Sequence, residues 1–306
     1  MYNQQVIKLD ILTEYIDFLR NYQCLSEATI IIRKLFVKPF LIDLGVVDKP
    51  STLHLISASA IHNYIITTAQ HLHRASKKHL TSSIRSFLKF AHIKGYLTRN
   101  LVEAVPVITT WKLDRLPQGI SWDNAQKFLT MPDKNTPGGR RDLAILSLLI
   151  HYGVRIGQVT ALKLQDIYWQ NEIISFAACK HSNPLQLPLY KDVAEALLLY
   201  IKNDRCETQY QDVFLTLKEP LRPLSKNNHY SCPIKKYYIK AGITSQSKGS
   251  RSIRHAFATQ LVKQKVPMKT ISDLLGHRYI ETTFIYIKVD VNQLRELARE
   301  WPEWGV

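Results

Sequence analysis

The sequence lacks the features that mark secreted, disulfide-bonded or membrane-spanning proteins. Its four cysteines are scattered and form no C-x-x-C pair, which indicates reduced thiols rather than a disulfide or zinc framework. No uninterrupted apolar run reaches the ~18 residues that suggest a membrane span, and the N-terminus shows no signal-peptide pattern. We therefore expect a cytoplasmic protein with no metal site and no membrane partner.

The chain is also short of acidic residues. It has 41 Lys and Arg against 25 Asp and Glu, which gives a formal net charge of +16 over 306 residues. Such an excess favours a polyanionic partner, because each neutralised phosphate releases condensed counterions. Composition alone leaves open a basic protein whose charge only keeps it soluble. The motifs described below favour nucleic acid.

The length of the chain, and a segment with proline and glycine that interrupts its helical pattern, predict two domains. Residues 1–105 carry apolar residues at helical spacing and predict a helical domain. Residues 106–120 contain Pro106, Pro117 and Gly119 and predict a linker. Residues 121–306 predict a second domain, in which helices accompany a small antiparallel sheet. The expected fold is therefore mainly α, and the strands are expected at Ile167 to Trp169, Glu172 to Ala177 and Leu185 to Leu189.

One predicted helix of the first domain has an unusual polar face. The helix is expected between Ser76 as its N-cap and Gly95 as its terminator, and no acidic residue occurs from Lys77 to Lys94. A charged stripe is usually only the solvated side of a helix, but such a side usually mixes charges of both signs. We predict a DNA-contacting surface made of Lys78, Ser82, Arg85 and Lys89.

Five short segments of the chain together supply arginines, a lysine, histidines and a tyrosine. They begin at Tyr152 (YGVRIG), Cys179 (CKHSNPLQLPL), Arg251 (RSIRH), Leu275 (LGH) and Thr282 (TTFIY). Guanidinium groups match a phosphate with paired, charge-assisted hydrogen bonds. A tyrosine hydroxyl, with a free pKa of about 10, becomes a useful nucleophile when cations lie near it. The segments therefore supply the groups needed to cut a phosphodiester without a metal.

In this order and spacing the segments resemble the tyrosine recombinase, or phage integrase, family. The resemblance covers both predicted domains and is strongest from Leu116 to Trp304. It implies an N-terminal helical bundle of the SAM-like, core-binding type, followed by a tyrosine-recombinase catalytic domain. It also implies a site-specific DNA recombinase that cleaves and rejoins DNA through a 3′-phosphotyrosyl intermediate, with no cofactor.

The resemblance assigns the central chemistry to four residues. Arg155 and Arg254 would clamp the scissile phosphate, and Arg251 would support its charge. Tyr286 would attack the phosphorus and form the covalent link.

Two further residues complete the expected catalytic set. Lys180 would protonate the leaving 5′-oxygen, and His277 would hydrogen-bond the scissile phosphate. His255, next to Arg254, is assigned to structural support rather than to chemistry.

The resemblance also implies partners. Duplex DNA is the expected substrate, and accessory directionality proteins belong to the same expectation. The C-terminal tail carries Leu294, Leu297 and Ala298 on one helical face, which favours packing onto a neighbouring subunit and a homotetramer on DNA. A tail that folds back on its own domain is the alternative.

The sequence departs from the family pattern at two positions. Arg251 stands where a histidine is expected, and Gln158 stands where an acid is common. An arginine cannot accept a proton from Tyr286 near neutral pH. A catalytically weakened DNA-binding relative therefore remains open. Two further alternatives are a type IB topoisomerase, which uses the same chemistry, and a non-catalytic DNA-binding protein or regulator.

Each site residue also has a simpler interpretation. Arg155 could pair with Asp166, and His277 could satisfy carbonyl groups at the end of a helix. Tyr286, between two isoleucines, could be a half-buried core residue.

Overall fold

The computed structural model describes residues 11–46, 50–108, 119–178, 184–224, 231–244 and 248–289. The chain divides into two compact units, Met1–Trp111 and Lys112–Val306. Over the described ranges, none of the helices is both long and apolar enough to cross a membrane. Most of the predicted linker lies outside the described residues, and its limits of 106 and 120 stay a prediction.

The N-terminal unit is helical throughout its described part. Residues 11–17 form a helix that continues into a π-helical turn, Phe18–Tyr22. Three longer helices follow, α1 (Glu27–Asp43), α2 (Ala58–Gln70) and α3 (Arg74–Ile93), with short 3₁₀ turns at Pro50–Leu55 and Val102–Ala104. An aromatic cluster lies at the centre of the unit, where the rings of Tyr15 and Phe87 meet edge to face with centroids 5.4 Å apart. The prediction that this part of the chain is helical is confirmed.

Helix α3 separates its apolar and polar faces as the sequence predicts. The face expected in the core is fully buried and consists of Leu80, Ile84, Phe87, Leu88 and Ala91. The start was wrong by three residues: the helix begins at Arg74 rather than after Ser76, because the carbonyl of His73 already accepts the amide of Lys77. The end is as expected, since Gly95 adopts a φ of 77°, which favours glycine.

The C-terminal unit arranges helices around a small sheet. The helices are α4 (Trp122–Lys127), α5 (Pro137–Tyr152), α6 (Ile156–Thr160), α7 (Lys191–Asn203), α8 (Ser231–Lys240), α9 (Ser250–Lys263) and α10 (Met268–Leu274). The strands β1 (Ile167–Tyr168), β2 (Ile173–Phe176) and β3 (Leu185–Pro188) pair in an antiparallel sheet of order β1-β2-β3. The predicted fold class, mainly α with one small antiparallel sheet, is confirmed.

Helix α5 is the central element of this unit. Nearly every residue from Asp142 to Ile150 is buried, because α7 and α9 pack against it. Its last residue, Tyr152, donates a hydrogen bond to the carbonyl of Pro188 at 2.7 Å and accepts one from the amide of Tyr190 at 3.1 Å. These bonds fix the end of α5 against the end of β3.

Two predicted helices of this unit were wrong in detail. The short helix expected at Ala161 to Leu164 lies earlier, at Ile156–Thr160, because Arg155 serves as its N-cap. The helix expected at Glu281 to Ile287 is a pair of 3₁₀ turns, Ile280–Thr282 and Phe284–Val289. The tighter form follows from i to i+3 hydrogen bonds, such as that from the amide of Tyr286 to the carbonyl of Thr283 at 3.0 Å.

Candidate active site

The turn after α5 places the first arginine. Gly153 ends the helix with a φ of 58°, and its amide bonds the carbonyl of Leu149 at 3.0 Å. A Cβ at this position would overlap the ring of Phe257 on α9. Glycine is therefore required twice, for its backbone conformation and for the close approach of α9. Arg155 follows two residues later, at the start of α6.

The guanidinium of Arg155 has donor groups that are available to bind a ligand. Its Nη1 is buried and has no hydrogen-bond partner among the described residues. Gln158 accepts a bond from the backbone amide of Arg155 at 3.1 Å and donates to the carbonyl of Ala177 at 3.3 Å, so it braces the turn rather than the guanidinium. Asp166 accepts from the amide of Lys163, and within the described chain no ion pair joins it to Arg155. The pairing of Arg155 with Asp166 is therefore wrong.

Arg254 is held rigidly from both sides of the site. The residue is 7 % exposed. It donates from Nη1 to the carbonyl of Gly153 at 2.9 Å and from Nη2 to that of Leu275 at 2.6 Å. Burial lowers the pKa of Arg254 to about 10, and the charge of Arg155 acts in the same direction. Two cations therefore lie close together in a partly desolvated place, an arrangement that an anion would stabilise.

His277 is positioned by the end of α10. The amide of Gly276 bonds the carbonyl of Asp273, and the amide of His277 bonds that of Ser272, which is the Schellman pattern with glycine at a φ of 58°. The imidazole lies between Nη2 of Arg254, 3.0 Å from Nε2, and the hydroxyl of Thr283, 2.8 Å from Nδ1.

The contacts of His277 also define its charge state. Burial, together with the charges of Arg254 and Arg155, lowers the pKa of His277 to about 4, so the ring is neutral at pH 7. Because Arg254 has only donors, Nε2 accepts and Nδ1 donates to Thr283. The side chain thus supports Arg254 and does not satisfy helix carbonyls. Its expected bond to a phosphate stays a prediction.

Tyr286 lies against the same arginines in a largely apolar setting. It is 3 % exposed and packs with Ala258, Val262, Ile271 and Leu275. Burial raises the pKa of Tyr286, while the charges of Arg254, Arg251 and Arg155 act to lower it. The hydroxyl lies 3.0 Å from Nδ1 of His255. Tyr286 is therefore more deeply buried than the half-buried residue of the simpler interpretation, but its hydroxyl faces polar groups rather than the core.

His255 is the residue whose position the sequence interpretation missed. It lies one turn after Arg251 on α9, so the two residues share a helix face. Burial lowers the pKa of His255 to about 4, assisted by the charges of Arg251 and Arg254. Arg251 itself is exposed. The i to i+4 spacing between Arg251 and His255 was a signal that could have drawn attention to this histidine.

The remaining predicted residues lie elsewhere or outside the described chain. Lys180 falls outside the described residues. On α3, Lys78, Ser82 and Lys89 are exposed as expected. Arg85 is half-buried and donates to the carbonyls of Val105 and Pro106 at 3.0 and 3.3 Å, so part of its hydrogen-bonding capacity is used within the unit.

The fold of the C-terminal unit gathers five of the predicted residues into one site. They are Arg155, Arg251, Arg254, His277 and Tyr286.

The sequence matches known proteins over almost its whole length. Residues 119–293 match the model of the phage integrase family. The chain is 33% identical over 284 residues to y4rA of Sinorhizobium fredii, named as an integrase/recombinase, covering 93% of this chain and 69% of that protein. It is 30% identical over 299 residues to tyrosine recombinase XerD of Staphylococcus saprophyticus, covering 95% of this chain and 98% of the relative.

Solved structures show the same fold. The XerH site-specific recombinase bound to a palindromic difH substrate matches with a TM-score of 0.69 at 15% identity, covering 99% of both chains. A lambda integrase dimer, residues 75-356, bound to a COC′ core site matches with a TM-score of 0.66 at 19% identity, covering 97% of this chain and 99% of the other.

Fold and site together thus define a protein with the helical architecture of DNA recombinases and a cluster of arginines around a tyrosine. The chain belongs to the phage integrase, or tyrosine recombinase, family.

Proposed function

We propose that this chain is a site-specific DNA recombinase that cuts and rejoins duplex DNA through Tyr286. The observation that supports the proposal most is the pair of neighbouring arginines, Arg155 and Arg254. The charges of both act to lower the pKa of the buried Tyr286. Nη1 of Arg155 is buried and has no hydrogen-bond partner in the part of the chain that the structure describes. A buried donor of this kind costs free energy unless something accepts its hydrogen. A phosphate between the arginines would accept it and offset both charges.

The proposed reaction uses the arginines to bind charge that grows during the reaction. Oη of Tyr286 attacks the phosphorus, and the bond to the 5′-oxygen breaks. Fixed guanidinium groups stabilise the negative charge on the non-bridging oxygens without having to reorient, since carbonyl groups already hold Arg254. Lys180 would donate a proton to the leaving 5′-oxygen. The phosphotyrosyl link retains the energy of the broken bond, so rejoining needs no nucleotide cofactor.

The DNA duplex and the assembly belong to the same proposal. The net charge of +16 and the exposed Lys78 and Lys89 of α3 suit a polyanion. The tail from Val291 to Trp304 lies outside the described residues. Its apolar spacing supports a homotetramer on DNA, and accessory directionality proteins would act on that assembly.

Covalent capture tests the proposal. The protein is incubated with nicked duplexes of randomised sequence. After cleavage the short cut end diffuses away, so the covalent adduct cannot be rejoined. DNA that stays attached to the protein on a denaturing gel is then sequenced. We expect an adduct with a defined sequence that Tyr286→Phe abolishes. Tyr279→Phe is the matched control, because Tyr279 is 59% exposed and lies seven residues earlier.

The same experiment separates the alternatives. A wild-type protein that binds duplex DNA but forms no adduct would be a non-catalytic or weakened relative, and the proposal would be wrong. Strand transfer to a second duplex distinguishes a recombinase from a topoisomerase, which reseals only the strand that it cuts.

A further inference from the structure

His255 and Tyr286 form a direct contact between two elements of the C-terminal unit. Nδ1 of His255, on α9, lies 3.0 Å from Oη of Tyr286, in the last described 3₁₀ turn. The ring centroids are 5.4 Å apart and tilted by 55°, so the rings meet at an angle rather than in a stack. The contact joins an imidazole nitrogen to the atom that would become the nucleophile.

The charged side chains that act on both rings of this contact are donors only. Arg251 and Arg254 lie on the helix of His255, and their charges act on both rings. Neither arginine can accept a proton near neutral pH. His277 also lies near, but Nε2 of its ring already accepts from Arg254 and Nδ1 bonds Thr283. Within the described residues, Nδ1 of His255 is therefore the acceptor in contact with the hydroxyl of Tyr286.

We propose that His255 is the general base of the reaction, an assignment that rests on the proposed function. As the bond from Oη to phosphorus forms, the bond from Oη to hydrogen breaks and the proton passes to Nδ1 of His255. The electron pair of the broken phosphorus–oxygen bond goes to the 5′-oxygen, which takes a proton from Lys180. In the rejoining step a 5′-hydroxyl attacks the phosphorus and gives its proton back to Lys180. The bond from phosphorus to Oη breaks, and protonated His255 returns the proton to Oη of Tyr286.

The charge state of His255 suits this role. Because burial and the charges of Arg251 and Arg254 hold its pKa at about 4, the ring is neutral and able to accept a proton at pH 7. A bound phosphate would offset those positive charges and make the imidazolium less costly. The tyrosine proton also becomes more acidic as Oη bonds to phosphorus, so transfer and attack proceed together.

Replacing His255 with asparagine separates proton acceptance from hydrogen bonding. The amide oxygen of His255→Asn can still accept from Oη, but it does not take a proton near neutral pH. The test measures the rate of adduct formation on the captured duplex between about pH 6 and 9, where a neutral histidine of the stated pKa is already in its basic form. His151→Asn is the control, since His151 lies on α5 and bonds the carbonyl of Ser147 at 2.9 Å.

The wild type is expected to show a rate that is flat with pH. His255→Asn is expected to lose about 10²-fold in rate at pH 7 and to gain about tenfold per pH unit, because the tyrosine must then ionise unaided. DNA affinity and the rate of His151→Asn should match the wild type.

Two results would overturn the assignment while leaving the proposed function intact. One is a His255→Asn rate equal to that of the wild type with the same flat profile. The other is a wild-type rate that itself rises about tenfold per pH unit, a reading that does not depend on how well the variant folds. Absence of any adduct from the wild type would instead overturn the proposed function and this assignment with it.

Discussion

The cations of α3 and those around Tyr286 differ in how the fold presents them. Lys78 and Lys89 lie on an open helix face and are exposed. Arg254 is 7 % exposed and held by two backbone carbonyls, and one buried nitrogen of Arg155 has no hydrogen-bond partner within the described ranges. Exposed cations add affinity for any phosphate backbone and are screened by salt. Buried cations with fixed positions instead stabilise a negative charge that develops at one defined position.

The largest effect should follow from a change at Arg254. Arg254→Lys keeps the charge but cannot span Gly153, Leu275 and His277, so we expect adduct formation to fall by about 10²–10³-fold, the scale of losing a fixed donor. Arg251→Lys, one turn earlier and exposed, should change the rate only a few-fold. Single-turnover cleavage of the captured duplex measures both. Equal losses at the two positions would show that burial does not distinguish these arginines.

A smaller effect, on stability rather than rate, should follow from a change at Gly153. Gly153→Ala places a side chain at a φ of 58° and against Phe257, so we expect a loss of about 2–5 kcal/mol in the free energy of unfolding. Gly242→Ala is the control: its φ is 64° and nothing lies within 4 Å of the added carbon, so only the backbone term of about 1–2 kcal/mol remains. Urea unfolding measures the free energy of unfolding of both variants. Equal losses would show that the close approach of α9 to this turn adds no cost to the Gly153→Ala substitution.

The smallest effect should come from the exposed cations. Lys89→Ala, or Lys78→Ala, should weaken binding to all duplex sequences alike and lower the slope of log affinity against log salt by about 1. Lys191→Ala is the control, since Lys191 is 87% exposed on α7, in the other unit. Fluorescence anisotropy at several salt concentrations measures the slope. An unchanged slope in both α3 variants would remove this helix from the DNA interface.

The contrast between the two regions also explains what the sequence could and could not predict. The buried face of α3 follows from its helical period, because spacing alone decides which side chains share a face. The residues proposed for the site were chosen because their order and spacing resemble the family pattern. Their contacts were not, because Arg254 meets Gly153 across 101 positions and His255 meets Tyr286 across 31.

The proposed role of His255 depends on such a contact. From its place next to Arg254 in the sequence, His255 was assigned to structural support. Only the fold of the segment after α10 brings the hydroxyl of Tyr286 to the imidazole ring of His255. Similarly, the start of α6 was missed because a side chain, that of Gln158, satisfies the amide of Arg155. Side-chain caps of this kind leave little periodic signal in a helix of five residues.

Locating the covalent link tests the central claim most directly. Protein captured on the nicked duplex is digested with protease and nuclease, and the remaining nucleotide-bearing peptide is sequenced by mass spectrometry. We predict a 3′-phosphate attached to Tyr286 within the peptide that contains Thr283 and Phe284. A link at another residue, or to a 5′-phosphate, would contradict the account.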